Sequence, residues 1–243
     1  NLLYGMLETI QFNSNRQQQD LRLFEFGNTY HKTEKGTKQI ATLSIGVTGQ
    51  QHPNHWAIAD QKSDFFFLKG VVSALLQRLG IQAKEVPGNH PQYKESIDLV
   101  VNEKCIGTFG WVATDIFENI SLEKEVFACT LFVDELLVHS TKNIKVQALS
   151  KFPAVSRDFA LLVDSNITFE ELHQIALKTE RHLLQDVRLF DVFTGKGIPD
   201  GKKSYALSFT LGDNNKTLTD KQIDKTMKRI AQQYEKQLGA SLR

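Results

Sequence analysis

The chain has 243 residues, 41% of them hydrophobic and 23% charged, a mixture that suits one large or two ordinary globular domains and excludes a disordered or fibrous chain. No apolar run approaches the roughly 20 residues a membrane helix needs, and NLLYGMLETI lacks the basic start and cleavage site of a signal peptide, so a cytoplasmic protein is expected. The net charge of +1 selects no partner, although the residues after Ser150 carry 15 basic against 12 acidic side chains.

The chain opens inside a helical pattern without an initiating methionine, which suggests a piece of a longer protein. Leu3, Met6, Leu7 and Ile10 make residues 2–12 an amphipathic helix. LRLFEFGNTY (21–30) and IATLSIGVTG (40–49) read as strands, and the polar HKTEKGTKQ between them as a hairpin-like loop. Asp64 caps a helix from Phe65 to about Leu79, with Leu68, Val71, Val72, Leu75, Leu76 and Leu79 as its stripe and Gly80 as its stop. Strands follow near 97–101, 105–112 and 126–133. Cys105 and Cys129, each alone in a strand-like apolar setting, are expected as buried free thiols. His31, His52 and His55 have no carboxylate or cysteine at ligand spacing, so they predict a solvated loop rather than a metal site. HSTKNIKVQALS, 139–150, has no deep core signal and reads as a linker.

After the linker, Pro153 forces an extended approach to a strand at 158–163. Thr168 and Glu171 form a capping box that opens a helix at 169–183, with Leu172, Ile175, Ala176, Thr179 and Leu183 on one face. Strands at 186–193 and 203–211 are joined by the turn-rich TGKGIPDGK. Thr219 and Gln222 form a second capping box, and the stripe Ile223, Met227, Ile230, Ala231, Tyr234 and Leu238 runs to Gly239, leaving ASLR for a short edge strand. The order βαββαβ is the ferredoxin-like arrangement, with both helices on one face of a four-stranded sheet.

The other face of that sheet is then open. Alternation turns Lys203, Tyr205, Leu207, Phe209 and Leu211 inward and Ser204, Ala206, Ser208 and Thr210 outward, and it turns Arg188, Phe190 and Val192 outward on the neighbouring strand. An exposed ring, a guanidinium and hydroxyls on an open sheet suit either single-stranded RNA, by stacking and phosphate contacts, or packing against a neighbouring domain. Arg157 and Asp158 fall on opposite sides of their strand. Each is either structural, in an ion pair or a cap, or, for Arg157, in contact with RNA.

KFPAVSRDFALLVD, LFDVF with KKSYAL, the TLTD helix start and the GASLR end resemble the ferredoxin-fold anticodon-binding domain of the phenylalanyl-tRNA synthetase beta-subunit family. NLLYGMLETIQFNSNRQQQDLRLFEFGNTY, WAIADQKSDFFFLKGVVSALL and IGTFGW resemble the class II synthetase-like core that precedes it. The resemblance implies an α+β chain: a class II synthetase-like antiparallel sheet domain at 1–145, without catalysis, then a ferredoxin-like βαββαβ anticodon-binding domain at 150–243. It implies a tRNA site of Arg157, Arg188, Phe190, Lys202, Lys203, Ser204 and Ser208. The implied partners are an alpha subunit, in an alpha2beta2 assembly, and the anticodon stem-loop of tRNA(Phe), with no membrane. FFFLKG would supply ring area to the interface with alpha.

Class II synthetases clamp the phosphates of ATP with arginines in an F-R-x-E-like and a G-x-G-x-x-R-like strand, since only fixed cations and Mg²⁺ stabilise the charge that develops there. Glu25 stands in the glutamate position of RLFEFG, but Leu23 fills the arginine position, and no arginine follows Gly107 and Gly110. Ala113-Thr114 stands where many relatives carry His-Pro. The expectation is that this chain has no catalytic residue, metal ligand or bound cofactor of its own, while ATP and Mg²⁺ serve the intact enzyme. The alternative is a free-standing, non-enzymatic RNA- or protein-binding module of the same ancestry.

Overall fold

The computed structural model describes residues 2–34, 36–53, 55–117, 120–141 and 150–243. Contacts divide the chain into two units, Asn1–Lys145 and Val146–Arg243. Most of the linker expected at 139–150 lies outside the described residues.

In the first unit, α1 (Leu2–Ser14) buries Leu3, Met6, Leu7 and Ile10, the stripe its spacing predicts. β1 (Leu21–Thr33) and β2 (Gly36–Thr48) pair along their whole length. The segment expected as a loop is therefore strand almost to its tip, because backbone pairing continues where side chains no longer reach a core. α2 (Phe65–Leu79) starts where the Phe67 N–H donates to Asp64 Oδ1 at 2.7 Å and stops at Gly80, which takes the left-handed conformation with φ 68°. β3 (Lys84–Gly88) was not legible from alternation; it is an edge strand, which tolerates Pro87. β4 (Tyr93–Val101), β5 (Lys104–Val112) and β6 (Val126–Phe132) follow, and then α3 (Val133–His139).

The six strands form one antiparallel sheet in the order β1-β2-β6-β5-β4-β3. Leu68, Val72 and Leu76 of α2 pack on one face against Leu43, Phe109 and Leu131, while α1 packs on the other against Val126 and Ala128. A strand covered on both faces reads as a continuous apolar run, as VFACTLF does. Both cysteines are free; Cys129 is buried, but Cys105 is only half-buried, because it lies near the β4–β5 turn.

The second unit consists of β7 (Val155–Asp164), α4 (Phe169–Thr179), β8 (Leu184–Phe193), β9 (Lys202–Leu211), α5 (Asp220–Leu238) and β10 (Ser241–Leu242), with the antiparallel order β10-β7-β9-β8. Both capping boxes are present, at Thr168 with Glu171 and at Thr219 with Gln222. Leu172 and Ile175 of α4, Ile230 and Tyr234 of α5, and Leu161, Leu207 and Phe209 of the strands share one core. Two buried phenols find acceptors inside it: Tyr234 donates to Leu172 O at 3.0 Å and Tyr205 to Ile167 O at 3.1 Å.

α4 ends at Thr179 instead of continuing to Leu183. Glu180 turns extended, and its buried carboxylate accepts the N–H groups of His182 and Leu183 at 3.0 and 3.2 Å and pairs with Arg229 of α5. Burial alone would raise the pKa of this carboxyl, but the two N–H donors and Arg229 outweigh it and hold the group below its ordinary value. A group lowered in the folded state stabilises the protein above its unfolded pKa, and that contribution is lost as the pH falls through the folded one. Glu180→Ala is expected to cost about 1–3 kcal/mol near neutral pH. In urea titrations the gap to the parent should narrow as the pH drops below about 4.3.

Candidate nucleic-acid interface

β9 lies between β7 and β8, so its register with both lays out the open face row by row. Ser208 stands between Asp158 and Arg188, Ala206 between Ala160 and Asp191, and Ser204 between Leu162 and Phe193. Thr210 stands between Ser156 and Asp186, and Lys202 opposite Asp164. The hydroxyls of Ser156 and Ser208 are 2.9 Å apart. Lys202 pairs with Asp164 at 2.8 Å and Arg188 with Asp186 at 2.6 Å. Exposed pairs of this kind contribute at most about 1 kcal/mol, so both cations can exchange their carboxylate for a phosphate at little cost.

Of the residues expected from sequence, Arg188, Lys202, Ser204 and Ser208 lie on this face. Ser204 is flanked by the larger Leu162 and Phe193 and is only 6% exposed. Phe190 has no partner in the register with β9. Leu189 pairs with Leu207 and Asp191 with Ala206, leaving Phe190 as the extra residue of a β-bulge. Asp191 and Phe193 continue the open face, and Val192, opposite Tyr205, falls on the helix side, while Phe190 is 60% exposed without a cross-strand partner. Arg157 stands opposite Phe209 on the helix side, and its guanidinium lies 3.6 Å from the Asp220 carboxylate at the start of α5. Lys203 is also on the helix side, opposite Val163, with its ammonium 4.7 Å from the Tyr205 ring centroid.

The sequence reading missed Arg243. Its N–H donates to Ala160 O at 2.8 Å, extending the β10–β7 pairing, and its guanidinium lies 6.0 Å from the Phe193 ring centroid. The signal that could have found it is the long-range pairing of ASLR, which carries residue 243 onto the same face as Ala160.

In the first unit, Leu23 pairs with Gly46 and packs, half-buried, against the α1 cluster, so an apolar contact fills the position expected for a phosphate-binding arginine. The glycines of β5 serve strand packing. A Cβ at Gly107 would come within 2.6 Å of Thr130 O, and one at Gly110 within 2.8 Å of Ser96 Cα. A cavity of about 320 Å³ on the α1 side of the sheet is lined by Thr42, His90, Gln92, Tyr93, Thr108 and Thr130 among others, with no lysine or arginine. His90 Nε2 and the Thr108 hydroxyl both meet Asp98 Oδ1, at 2.8 and 2.6 Å. These residues do not fit a nucleoside triphosphate with its metal, which needs fixed cations and carboxylates aimed outward. No group of three or more His, Cys, Asp or Glu among the described residues could hold a metal ion.

Phe193 is 44% exposed and lies off the core, whereas Leu207 is fully buried. Leu207→Ala is expected to cost about 2–5 kcal/mol, and Phe193→Ala well under half of that, by thermal or urea unfolding.

Residues 1–133 match the family model described as the phenylalanyl tRNA synthetase beta chain CLM domain, and residues 150–243 the ferredoxin-fold anticodon binding domain. The phenylalanine–tRNA ligase beta subunits of Bacteroides fragilis and Bacteroides thetaiotaomicron are 40% and 41% identical over 257 residues, and that of Porphyromonas gingivalis is 37% identical over 256. Each match covers 100% of this chain and 31% of the relative, so the chain spans about a third of the length of these curated relatives. Among solved structures, the crystal structure of pyrrolysyl-tRNA synthetase from Desulfitobacterium hafniense overlays 55% of this chain and 46% of its own, at TM-score 0.43 and 14% identity.

Proposed function

Because the chain belongs to the phenylalanyl-tRNA synthetase beta chain family, we propose that it is the tRNA-recognition and subunit-interface part of phenylalanine–tRNA ligase, supporting ATP-dependent charging of tRNA(Phe) by an alpha subunit in a cytoplasmic alpha2beta2 assembly. The observation that carries this reading is the one-sided sheet of the second unit, whose open face presents Arg188, Lys202, the hydroxyls of Ser156 and Ser208, and the Phe193 ring. That is a surface on which cations meet phosphates while an unpaired base meets a ring, the arrangement by which small sheet domains take single-stranded loops. The ring with a fixed place in the register of that face is Phe193, opposite Ser204, and Phe190 beside it is also exposed.

The first unit contributes no chemistry in this reading. ATP and Mg²⁺ are bound by the alpha subunit, and the first unit supplies surface. Of FFFLKG, only Phe66 offers a ring outward, at 75% exposure, while Phe65 and Phe67 pack into the core. Phe24 and Phe26 of β1, edge to face at 6.3 Å, add a second exposed aromatic pair.

Two measurements test the proposal. The chain alone should show no phenylalanine-dependent exchange of pyrophosphate with ATP, and adding the alpha subunit should allow charging of tRNA(Phe); exchange by the clean chain would refute the silent role. In fluorescence titrations with the tRNA(Phe) anticodon stem-loop, Lys202→Ala should lower the salt slope of log K by about 0.7–0.9. An unchanged slope would remove Lys202 from the phosphates.

A further inference from the structure

On its α1 side, the sheet of the first unit carries a polar row across four adjacent strands. Asp98 stands opposite Thr108, Thr108 opposite Thr130, and Thr130 opposite Ser44. α1 covers Ser44, whose hydroxyl lies 3.8 Å from Met6 Sδ, while Thr108 and Thr130 line the cavity of about 320 Å³. Sites for small molecules run from about 300 to 1,000 Å³, so this one suits a ligand of modest size. Leu3 and Phe132 give it an apolar side.

Asp98 sets the hydrogen-bond polarity of the other side. The Thr108 hydroxyl donates to Asp98 Oδ1 at 2.6 Å, and His90 Nε2 meets the same oxygen at 2.8 Å. With its proton turned to the carboxylate, Thr108 Oγ presents only lone pairs to the cavity. A carboxylate behind the wall, and no lysine or arginine on it, favour positive charge and N–H donors over an acid.

Tyr93 supplies the second observation. Of the three buried tyrosines among the described residues, Tyr205 and Tyr234 each donate to a carbonyl, whereas Tyr93, 7% exposed, has a buried Oη without a hydrogen-bond partner. The Thr130 hydroxyl is near enough to oppose in part the upward push of burial on the Tyr93 pKa, but no atom meets Oη in hydrogen-bond geometry. A buried polar group left unpaired is costly, and this one lines the cavity.

We propose that the cavity binds a small aromatic amine, whose ammonium donates to Thr108 Oγ and Tyr93 Oη while its ring lies against Leu3 and Phe132. The site goes beyond the tRNA-binding reading and does not depend on it.

The test titrates the whole chain, without tRNA, with phenethylamine, phenethyl alcohol and phenylpropionate, followed by calorimetry and by NMR of the backbone amides. The amine is expected to bind and to shift the amides of Tyr93, Thr108 and Thr130, the alcohol to bind more weakly and the acid not at all. Tyr93→Phe should weaken binding of the amine roughly 10- to 150-fold while the melting temperature stays level or rises, because the variant removes a buried group that has no partner. Thr108→Val should weaken binding likewise. A phenol that serves only the fold would do the reverse, lowering the melting temperature of Tyr93→Phe and leaving the affinity unchanged, and that result overturns the proposal. Equal binding of amine and acid, shifts confined to the surface around Phe24 and Phe66, or no binding of the amine at millimolar concentration, which would make the cavity a water site, overturns it too. None of these outcomes bears on tRNA binding.

Discussion

Both helices of the second unit lie on the same side of its four strands, and this one-sidedness governs what the rest of the unit can do. Leu161, Leu207 and Phe209 have to meet α4 and α5, so every second residue is committed to the core and the alternate set is free of it. The two sets differ sharply in what they contribute. Truncating a buried leucine costs about 2–5 kcal/mol, while an exposed ion pair such as Lys202 with Asp164 contributes at most about 1 kcal/mol. Stability is thus concentrated on one side of the sheet. The other side can carry rings, hydroxyls and cations chosen for what they bind.

The first unit takes the opposite course. Its sheet is covered by α1 on one face and α2 on the other, and Leu23, at the position read from sequence as that of a phosphate-binding arginine, packs against α1. A charge there would have to leave an apolar contact with the α1 cluster. What this unit exposes instead is aromatic area at Phe24, Phe26 and Phe66. Patches of this kind suit contact with protein better than with a polyphosphate.

Most helices were legible in the sequence because their signals are local. Asp64 with Gly80, Thr168 with Glu171, and Thr219 with Gln222 each define a helix end by one hydrogen bond or a reciprocal pair, and the stripes of α1, α2 and α5 follow from their period. The elements that escaped are those decided at a distance. β3 pairs with β4 although Pro87 argues against a strand, and α4 stops early because Glu180 is captured by Arg229 from another helix. On the open face, period-two reading placed Arg188, Ser204 and Ser208 and even turned Lys203 inward, but it could not foresee the extra residue at Phe190. Arg243 was invisible for the same reason, since its place depends on a partner strand some 80 residues earlier.

The bulge at Phe190 matters beyond the side chains it redirects. β8 is the outer strand of its sheet, and a long, regular outer strand offers unpaired N–H and C=O groups to any similar strand it meets. An irregular edge interrupted by a bulge and carrying Asp186, Arg188 and Asp191 is a poor template for such pairing. At the other margin, β10 is only two residues long. With neither margin inviting a further strand, a domain whose sheet is half uncovered can stay in solution without self-association, keeping that surface available for a partner it recognises through side chains.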